Sequence, residues 1–521
     1  MLWILIKFWL TWLLSGWIWM YLNLLWGPWL TRLEFIVDGA GMIADVYRRP
    51  HSPFAIPALS EYQTLVSKHI KEVGRCSEHV LSFNDAMEKA AYSYHQRLRH
   101  KYTMFGFDDK GIDPNHSLVG RVLKVHLRTA IPALHVDLQI PIRETMRHLV
   151  SQGKVAVLPG WKEIRAASFA RQITARVNNQ MLVGDRLAAS SRFHDATLRY
   201  NQDVALTMEI CRHILSMLVP VVATAVMGWS GAMEEVVSCL TSLIEERLRE
   251  DPNCKCSKKV SVWRVWVLFK PMPLLMRDWR RDCVHWIMVC SQRPEQRTTR
   301  RLVQQTIALM FASAHQIPMA LAYAIYDLCV HPQYISPLRQ EIDHARRTKA
   351  FKDQFNHMPL MDSFLKESAR LSPLDALSIQ RLARVPYSFP DNGPHVPAGN
   401  LVAVPQEAVM KDPLNYVEAE VFDGFRFVVT DGSVDQEDAM PRPCPKFTDV
   451  SWKSPYWGSE KKPVLAFNTH SPGRWYVSSI LKQILTNLIM DYDFKLAHEN
   501  TPRSFIWTTA IIPHFKTTPL I

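Results

Sequence analysis

Apolar residues along the chain recur mostly at the three-to-four-residue spacing of amphipathic helices. Between about residues 61 and 334 this period predicts a succession of helices, which prolines interrupt or end. The segments with the clearest helical period are residues 117–131, 161–182, 201–226, 234–249 and 360–371. Residues 300–330 are apolar on almost every side, which predicts a long helix buried inside the protein.

The last third of the chain also carries stretches with the two-residue alternation of β-strands. Residues 376–404 have this pattern, with turns predicted at 390–393 and 396–399, where Pro, Gly, Asn and Asp concentrate. Residues 491–496 and 505–512 alternate in the same way, which predicts paired strands near the C-terminus. A mainly helical body with small sheets predicts an α+β fold.

The long buried helix should open near its middle, because Pro318 has no N–H to donate to the carbonyl of Ala314. A break in a buried helix leaves a groove in which a small ligand can lie, and His315 and Gln316 stand beside it. The alternative is a tolerated kink in which backbone groups satisfy the His315 imidazole.

The N-terminus differs in composition from the rest of the chain. Nineteen residues from Phe8 to Trp26 carry no charge, and seven of the 17 tryptophans precede residue 30. Such a segment can span a bilayer with its indole rings at the interfaces. We therefore predict a membrane anchor at residues 1–27 and one globular domain at 28–521. A cleaved secretory signal is the alternative, but its cleavage site should show small residues, and residues 24–29 are Leu-Leu-Trp-Gly-Pro-Trp instead.

The charges that follow the anchor predict its orientation. Arg32, Arg48 and Arg49 lie just after the apolar span, so the positive-inside rule places the domain in the cytosol. We expect a single-pass protein of the endoplasmic reticulum membrane.

The overall charge and the cysteines limit the classes of partner. A formal net charge of +12 indicates an anionic partner, such as a membrane surface or an acidic redox protein. No aromatic–basic motif accompanies the basic residues between 255 and 301, so nucleic acid is not expected. Nine cysteines without a CxxC pair fit a reducing compartment, and no metal site is predicted.

Motifs of other enzyme classes are weak or missing in the sequence. Residues 39–44 loosely match a dinucleotide-binding fingerprint after a strand-like stretch at 33–37, but no second βαβ strand follows. An ordinary helix start is the better explanation. No hydrolase elbow, P-loop or HExxH pair predicts a competing activity.

Several separate motifs occur in the order that one protein family shows. Glu367-Ser-Ala-Arg370 forms a Glu-x-x-Arg element, Arg426 follows in a Phe-Arg-Phe run, and Ser471-Pro-Gly-Arg opens a helical segment. Together with the long central helix, these motifs resemble the fungal cytochrome P450 family, in particular its terpenoid-oxidising branch. The resemblance covers most of the chain, anchor included. It implies a cytochrome P450-like fold with Glu367, Arg370 and Arg426 as a structural triad.

The positions that serve oxygen chemistry in that family are substituted here. Ser471 stands where the family has the Cys thiolate that binds haem iron, and a serine hydroxyl cannot supply the thiolate's electron donation. The loop before Ser471 is shorter and bulkier than the family's glycine-rich loop. On the long helix, His315 occupies the family's acid position, as the fungal branch also shows, and Gln316 occupies the threonine position. The resemblance thus implies a degenerate haem site.

Three residues keep haem binding open as an alternative. Arg381 stands where the family often has a partner of a haem propionate, although an arginine in a strand needs no haem to explain it. His470 could bind iron through an imidazole nitrogen, and otherwise it is a loop or pocket histidine. Cys444 could supply a thiol only if its long loop replaced the usual one.

These departures lead to an expected function. We expect a protein that works without a cofactor, with haem as the alternative. It would bind a small hydrophobic metabolite, such as a terpenoid, and promote a non-redox cyclisation or rearrangement, for example of the Diels–Alder type. His315, Gln316 and His470 are the candidate catalytic residues, and Gln316 or a protonated histidine would donate hydrogen bonds to a substrate carbonyl.

Two other functions stay open at this point. A haem-dependent monooxygenase with unusual iron ligation would need NADPH and a reductase as its partner. A non-catalytic protein would instead bind a metabolite or hold other biosynthetic enzymes at the membrane. Such a protein would depend on its anchor and not on His315 or Gln316.

Overall fold

Helices dominate the computed structural model, which describes residues 34–48, 55–58, 61–83, 85–86, 118–156, 159–214, 217–250, 282–291, 293–351, 353–428, 445–458 and 471–521. In chain order the helices are α1 (34–48), α2 (Ile70–Arg75), α3 (Leu118–Arg121), α4 (Arg128–Ser151), α5 (Ala166–Val183), α6 (Asp185–Ala188), α7 (Ser191–His213), α8 (Val219–Trp229), α9 (Ala232–Glu250), α10 (Cys283–Cys290), α11 (Thr299–Ala314), α12 (Gln316–Val330), α13 (Ile335–Thr348), α14 (Pro359–Leu371), α15 (Gln406–Met410) and α16 (Arg474–Asp491). A π-helical segment, Val122–Leu127, joins α3 to α4. Short 3-10 helices lie at Pro294–Arg297, Pro332–Tyr334, Gln354–Asn356 and Pro455–Trp457.

Short strands form small sheets beside the helices. In chain order the strands are β1 (Ala55–Ala58), β2 (Glu61–Leu65), β3 (Leu81–Ser82), β4 (Lys154–Val155), β5 (Lys162–Glu163), β6 (Ser378–Ala383), β7 (Tyr387–Ser388), β8 (His395–Val396), β9 (Leu401–Val404), β10 (Lys495–Leu496), β11 (Ser504–Trp507), β12 (Ala510–Pro513) and β13 (Pro519–Leu520). The largest sheet has the order β1-β2-β9-β6-β3, in which only the β2–β9 pair is parallel. A second sheet has the order β10-β13-β5-β4, and β7–β8 and β11–β12 are separate pairs. The predicted mainly helical α+β fold is therefore confirmed.

The helix pair α11–α12 forms the centre of the helical body. Helix α11 packs against α5 and α9, and α12 packs against α5 and α14. By length and composition Thr299–Val330 could cross a membrane, but more than half of its apolar stretch is buried inside the protein. This is the behaviour of a core helix. No other helix in the described part of the chain is long and apolar enough, and the anchor predicted at residues 1–27 lies outside that part.

Polar side chains determine where several helices begin. Ser190, Asp282 and Thr298 accept hydrogen bonds from backbone N–H groups in the first turns of α7, α10 and α11. The two oxygens of Asp282 also accept hydrogen bonds of 2.7 and 2.6 Å from Nη1 and Nη2 of Arg247. Both of these side chains are buried, so this ion pair joins the end of α9 to the start of α10.

Prolines do not end helices as uniformly as the sequence predicts. Pro132 and Pro141 lie inside α4. Each removes only one backbone hydrogen bond, and α4 is supported by packing against α5 and α16. In contrast, the helix predicted at 201–226 is divided between α7 and α8. Pro220 lies in the first turn of α8, where a missing N–H breaks no helical hydrogen bond.

The strand-like interpretation of residues 33–37 is wrong, because residues 34–48 form helix α1. Residues 39–44 are therefore part of a helix and do not form a dinucleotide-binding loop. The glycine at the start of this stretch has a packing role. A Cβ atom on Gly39 would lie 2.5 Å from the carbonyl oxygen of Thr508, so only glycine allows α1 to approach the turn between β11 and β12.

The predicted strands near the C-terminus form, but residues 491–496 and 505–512 do not pair with each other. Residues 505–512 fold back on themselves, so that β11 pairs with β12, while β10 pairs with β13. Alternation identifies a strand but not its neighbour. The predicted turn at 390–393 is confirmed: Asp391 and Asn392 have φ values of 55° and 57°, and the Gly393 N–H donates to the Pro390 carbonyl at 2.9 Å.

A buried carboxylate holds α14 in place. Glu367 and Arg370 are both 0% exposed, and Arg370 donates through Nε and Nη2 to the two oxygens of Glu367 at 2.7 and 2.8 Å. Arg426 donates through Nε to the same carboxylate at 3.1 Å. Nη1 of Arg370 also donates to the backbone carbonyls of Met410 and Ala419. The structure thus brings the three triad residues together and ties α14 to the segment after α15.

We expect Arg370→Ala to lower the free energy of unfolding by roughly 3–5 kcal/mol, because it leaves the buried Glu367 carboxylate without its main partner. Denaturant titration of the purified protein measures this change. Arg186→Ala is the matched control, since Arg186 makes a similar two-point contact with Glu246 at the surface and its loss should cost less than about 1 kcal/mol. Equal losses in the two variants would contradict a special role for the buried pair.

Candidate functional site

The central helix breaks at His315, as Pro318 predicts. Helix α11 ends at Ala314 and α12 begins at Gln316, with His315 between them at φ −110° and ψ −44°. Pro318 has no N–H for the Ala314 carbonyl, and the next N–H, that of Met319, reaches the His315 carbonyl only at 3.3 Å. The break therefore follows from the local sequence.

The residues around the break are less buried than the parts of the helix directly before and after them. Residues 305–310 are buried, and so are Ile317 and Pro318. Between them lies a partly exposed segment, 311–316, in which Ala312 and Gln316 are exposed and the other four residues are half-buried. We call 311–316 the uncovered stretch. Because it opens the middle of the core, it is the candidate functional site.

Asn201 of α7 and Phe311 of α11 position the His315 side chain. Its imidazole hydrogen-bonds the backbone of Asn201 on α7, and its ring lies edge-to-face with Phe311 at 5.5 Å. Burial lowers the pKa of His315 below its usual value, and the charge of Arg171 on α5 lowers it further, against the opposing effect of the Asn201 hydrogen bond. His315 is therefore neutral at pH 7.

The neutral state changes the role expected for His315. Its Nε2 atom is buried and has no hydrogen-bond partner among the described residues. When the other ring nitrogen donates its proton to the Asn201 carbonyl, Nε2 carries a lone pair. Burial disfavours the protonated imidazole in the folded protein, and donation by a protonated histidine to a substrate carbonyl stays a prediction. His315 can instead accept a hydrogen bond or a proton from a ligand.

Gln316 does not share the environment of His315. Its side chain is exposed at the first residue of α12, and no hydrogen bond links it to His315. The two candidate residues are neighbours in the chain, but the structure brings only His315 into the protein interior. The role of Gln316 as a hydrogen-bond donor to a ligand stays a prediction.

Asn178 connects the uncovered stretch to the start of α16. The Tyr476 hydroxyl donates to Oδ1 of Asn178 at 3.0 Å, and Nδ2 of Asn178 donates to the Ser313 carbonyl at 3.1 Å. Asn178 and Tyr476 are buried, and Ser313 is half-buried. Sequence analysis missed Asn178, although two adjacent asparagines, 178 and 179, inside the apolar period of a helix are a recognisable signal of buried polar contacts.

Ser471 lies three residues before α16 and is half-buried. Its N–H donates to the Trp457 carbonyl at 2.9 Å, and its own carbonyl accepts a hydrogen bond from Nη1 of Arg474 at 3.1 Å. These backbone contacts fix the position of Ser471 in front of α16. His470 and Cys444 lie outside the described residues.

Arg381 is a buried cation in strand β6. It is 4% exposed, and its Nη1 donates to the Gln380 carbonyl at 2.8 Å. Burial lowers the pKa of Arg381 to about 10, against the opposing effect of the Glu78 carboxylate. The guanidinium is therefore still charged at pH 7. It lies 5.0 Å from the centre of the Phe83 ring.

Comparison with known families gives one match over more than half of the chain. The sequence model of the cytochrome P450 family matches residues 158–441. The matched segment includes His315, Arg381 and the triad, and it ends before Ser471. The predicted resemblance to the cytochrome P450 family is confirmed.

Curated relatives of the chain are fungal cytochrome P450 proteins. Cytochrome P450 monooxygenase 151 of Postia placenta is 26% identical over 93% of this chain and 89% of its own. The ent-kaurene oxidase P450-4 of Gibberella fujikuroi is 22% identical over 93% of this chain and 88% of its own. Cytochrome P450 monooxygenase paxP of Penicillium paxilli is 26% identical over 67% of this chain and 62% of its own.

A solved structure confirms the fold. The retinoic-acid-bound cyanobacterial CYP120A1 superposes with a TM-score of 0.64 at 16% identity, covering 94% of this chain and 96% of its own. At this identity the similarity concerns the fold alone. The expected cytochrome P450-like architecture is therefore present.

The expectation of a protein without a cofactor is contradicted by the family. Cytochrome P450 proteins normally bind haem, so haem is the cofactor that the comparisons indicate. The described residues fit haem in one respect, because the buried guanidinium of Arg381 suits a propionate carboxylate. They do not fit thiolate ligation, because Ser471 offers a neutral, hard hydroxyl at the ligand position.

We expect the lowered pKa of His315 to make part of the protein's stability pH-dependent. The unfolded chain takes up a proton near the usual histidine pKa of about 6.5, while the folded protein resists it. The stability due to the neutral imidazole is thus present above about pH 6.5 and lost as pH falls through the lower pKa of the folded state.

Denaturant titrations of the natural protein and of His315→Gln at several pH values measure the pH-dependent contribution of His315 to the free energy of unfolding. The difference in free energy of unfolding between the natural protein and the variant should decrease as the pH is lowered. His344→Gln, at an exposed position of α13, is the control for a change of histidine at the surface. A constant difference between natural protein and His315→Gln at all pH values would show that the pKa of His315 is not lowered.

Proposed function

Because the chain belongs to the cytochrome P450 family, we propose that it is an enzyme of fungal secondary metabolism that cyclises or rearranges a hydrophobic, terpenoid-class substrate. The product would contain the same atoms as the substrate, as in a Diels–Alder reaction. The substrate class is supported by relatives such as the ent-kaurene oxidases, because ent-kaurene is a terpenoid hydrocarbon. The fungal relatives paxP and terQ support secondary metabolism.

The observation that carries the proposal is the neutral His315 in the uncovered stretch. An apolar substrate held there would adopt few conformations, which removes much of the entropic barrier to an intramolecular reaction. In a cycloaddition two new σ-bonds replace two π-bonds, so no atom or electron has to be supplied. Nε2 of His315 would accept a hydrogen bond or a proton from the substrate and thereby raise its reactivity.

The substitutions at the oxygen-chemistry positions agree with this reaction type. Gln316 stands at the family's threonine position and Ser471 at its thiolate position, and both of the replaced groups serve oxygenation. A cyclisation needs neither of them. It also requires no electron transfer, so it does not depend on the thiolate ligation of haem that Ser471 cannot provide. We assign Gln316 and His470 secondary roles as polar contacts to the substrate.

A haem-dependent monooxygenase with unusual ligation is the second candidate. It is favoured by the buried charge of Arg381, which suits a propionate, and by the monooxygenase names of several relatives. The two candidates differ in the mass of the product, because oxygenation adds an oxygen atom and cyclisation does not.

The deciding experiment incubates the purified full-length protein with polyene terpenoids and compares product masses. We expect a product of unchanged mass to form without oxygen, NADPH or reductase. His315→Ala should slow its formation by about a hundredfold or more, as loss of a general acid or base does. His344→Ala, at an exposed site, is the matched control and should leave the rate unchanged.

Each other outcome of this assay selects another function. A product heavier by one oxygen atom, formed only with oxygen, NADPH and reductase, would replace cyclisation by monooxygenation. No product under either condition, with substrate still bound, would favour a protein that holds a metabolite or other biosynthetic enzymes. The absorption spectrum of the same preparation reports haem content separately, so it does not depend on the activity result.

We further propose that the protein acts at the cytosolic face of the endoplasmic reticulum membrane, anchored by residues 1–27. Exposed apolar side chains on α8 support a second membrane contact, since Val221 is 70% and Trp229 is 91% exposed. A chain lacking residues 1–27 should lose most of its membrane association in cell fractionation. Trp229→Ser in that shortened chain should reduce the remainder, and unchanged association after both changes would contradict the proposed anchor.

A further inference from the structure

A polar cleft lies between three helices and shares no lining residue with the uncovered stretch or Ser471. It is formed by α4, the end of α13 and the second half of α16, and the 3-10 turn Gln354–Asn356 closes one side. Its volume is about 290 Å³, near the lower end of the range for small-molecule pockets. The cleft is therefore large enough for an organic ligand and not only for water.

The charged side chains that line the cleft are all cationic. They are Arg143 of α4, Arg346 of α13 and Lys349 just beyond α13, and no carboxylate is among the described residues of the lining. Arg143 is oriented by Asn487, whose Oδ1 accepts a hydrogen bond from Nε at 3.1 Å. Asn487 is itself held through its Nδ2, which donates to the Gln483 carbonyl at 2.8 Å. This arrangement holds the Arg143 guanidinium through Nε.

Thr486 supplies a second, independent observation. It lines the cleft from α16 and is only 2% exposed. Its hydroxyl oxygen is buried and has no hydrogen-bond partner among the described residues. A helical threonine usually donates to the carbonyl one turn earlier, and an unsatisfied buried hydroxyl is unfavourable. A ligand in the cleft would provide the missing partner.

The position of two of the cations has an alternative explanation. Arg346 and Lys349 lie at the C-terminal end of α13, where the helix dipole attracts positive charge without any ligand. That explanation does not apply to Arg143, which lies in the interior of α4, nor to Thr486. Because groups from three separate helices converge, a shared anionic ligand explains the arrangement better than the dipole of one helix.

We propose that this cleft binds the phosphate group of a small organic molecule. A phosphate carries up to two negative charges and several acceptor oxygens, so it suits two arginines, a lysine and a hydroxyl donor. The rings of Phe351 and Phe355, which meet edge-to-face at 5.7 Å on one side of the cleft, would cover the organic part. The phosphate could belong to a soluble metabolite or to a lipid headgroup.

Binding is tested with glycerol 3-phosphate and with phosphatidylcholine vesicles that contain or lack phosphatidic acid, using the full-length protein in detergent or vesicles. We expect saturable binding of glycerol 3-phosphate by calorimetry. The double variant Arg346→Gln, Lys349→Gln should bind about tenfold more weakly or worse, because two charge-assisted contacts are lost. Arg347→Gln is the matched control, since Arg347 lies beside Arg346 on α13, is exposed and does not line the cleft.

Thr486→Val separates ligand binding from folding. It removes the unsatisfied hydroxyl at nearly constant volume, so the thermal stability of the free protein should be unchanged or higher. The affinity for glycerol 3-phosphate should fall severalfold if the hydroxyl contacts the phosphate. Binding only to vesicles with phosphatidic acid, sensitive to the same variants, would identify the lipid as the source.

Three results would overturn the proposal. One is the absence of saturable binding to either phosphate source. Another is an equal loss of affinity in Arg347→Gln and in the double variant, which would indicate attraction to the general positive charge of the surface. The third is unchanged affinity in both the double variant and Thr486→Val.

Discussion

The buried carboxylate of Glu367 is the constraint on which the rest of the structure depends. A carboxylate removed from water is unfavourable unless cations and donors surround it, and two arginines donate to this one. Satisfying it fixes α14 against the segment after α15. In the first turn of α14, Asp362 pairs with Lys482 of α16 at 2.7 Å, with both side chains buried. The first of these ion pairs fixes α14 against the segment after α15, and the second joins α14 to α16, the helix that follows Ser471.

The central helix combines a rigid frame with a local opening. Packing against α5, α9 and α14 immobilises most of α11 and α12, whereas the break at His315 leaves residues 311–316 partly exposed. A ligand site benefits from this combination, because the groups around it are already held in place before binding. The burial that supports His315 also lowers its pKa, so the same packing that positions the imidazole keeps it neutral.

The chain keeps the residues that hold a cytochrome P450 fold and differs at residues that serve the family's oxygen chemistry. The physical costs of the two kinds of change are unequal. Replacing a partner of the buried Glu367 carboxylate leaves a charge in the protein interior, whereas Ser471 is half-buried before α16 and is held by its backbone. A side-chain change at Ser471 therefore leaves the packing intact. Haem, which the family indicates, would meet a fitting cation at Arg381 and a poorly fitting hydroxyl at Ser471.

Local sequence by itself determined the helical body, the turn at 390–393 and the break before Pro318, because each follows from the hydrogen-bonding and steric needs of neighbouring residues. It also pointed to His315. Only the tertiary structure decided that β10 pairs with β13, that Asn178 joins α16 to the central helix, and that the His315 imidazole is neutral. The contacts of Asn178 and the pKa of His315 depend on residues more than a hundred positions away in the chain, such as Asn201 for His315. The pairing of β10 depends on which strands lie beside it. Residue patterns record the requirements of the local backbone, whereas partners and pKa values arise only when distant segments pack together.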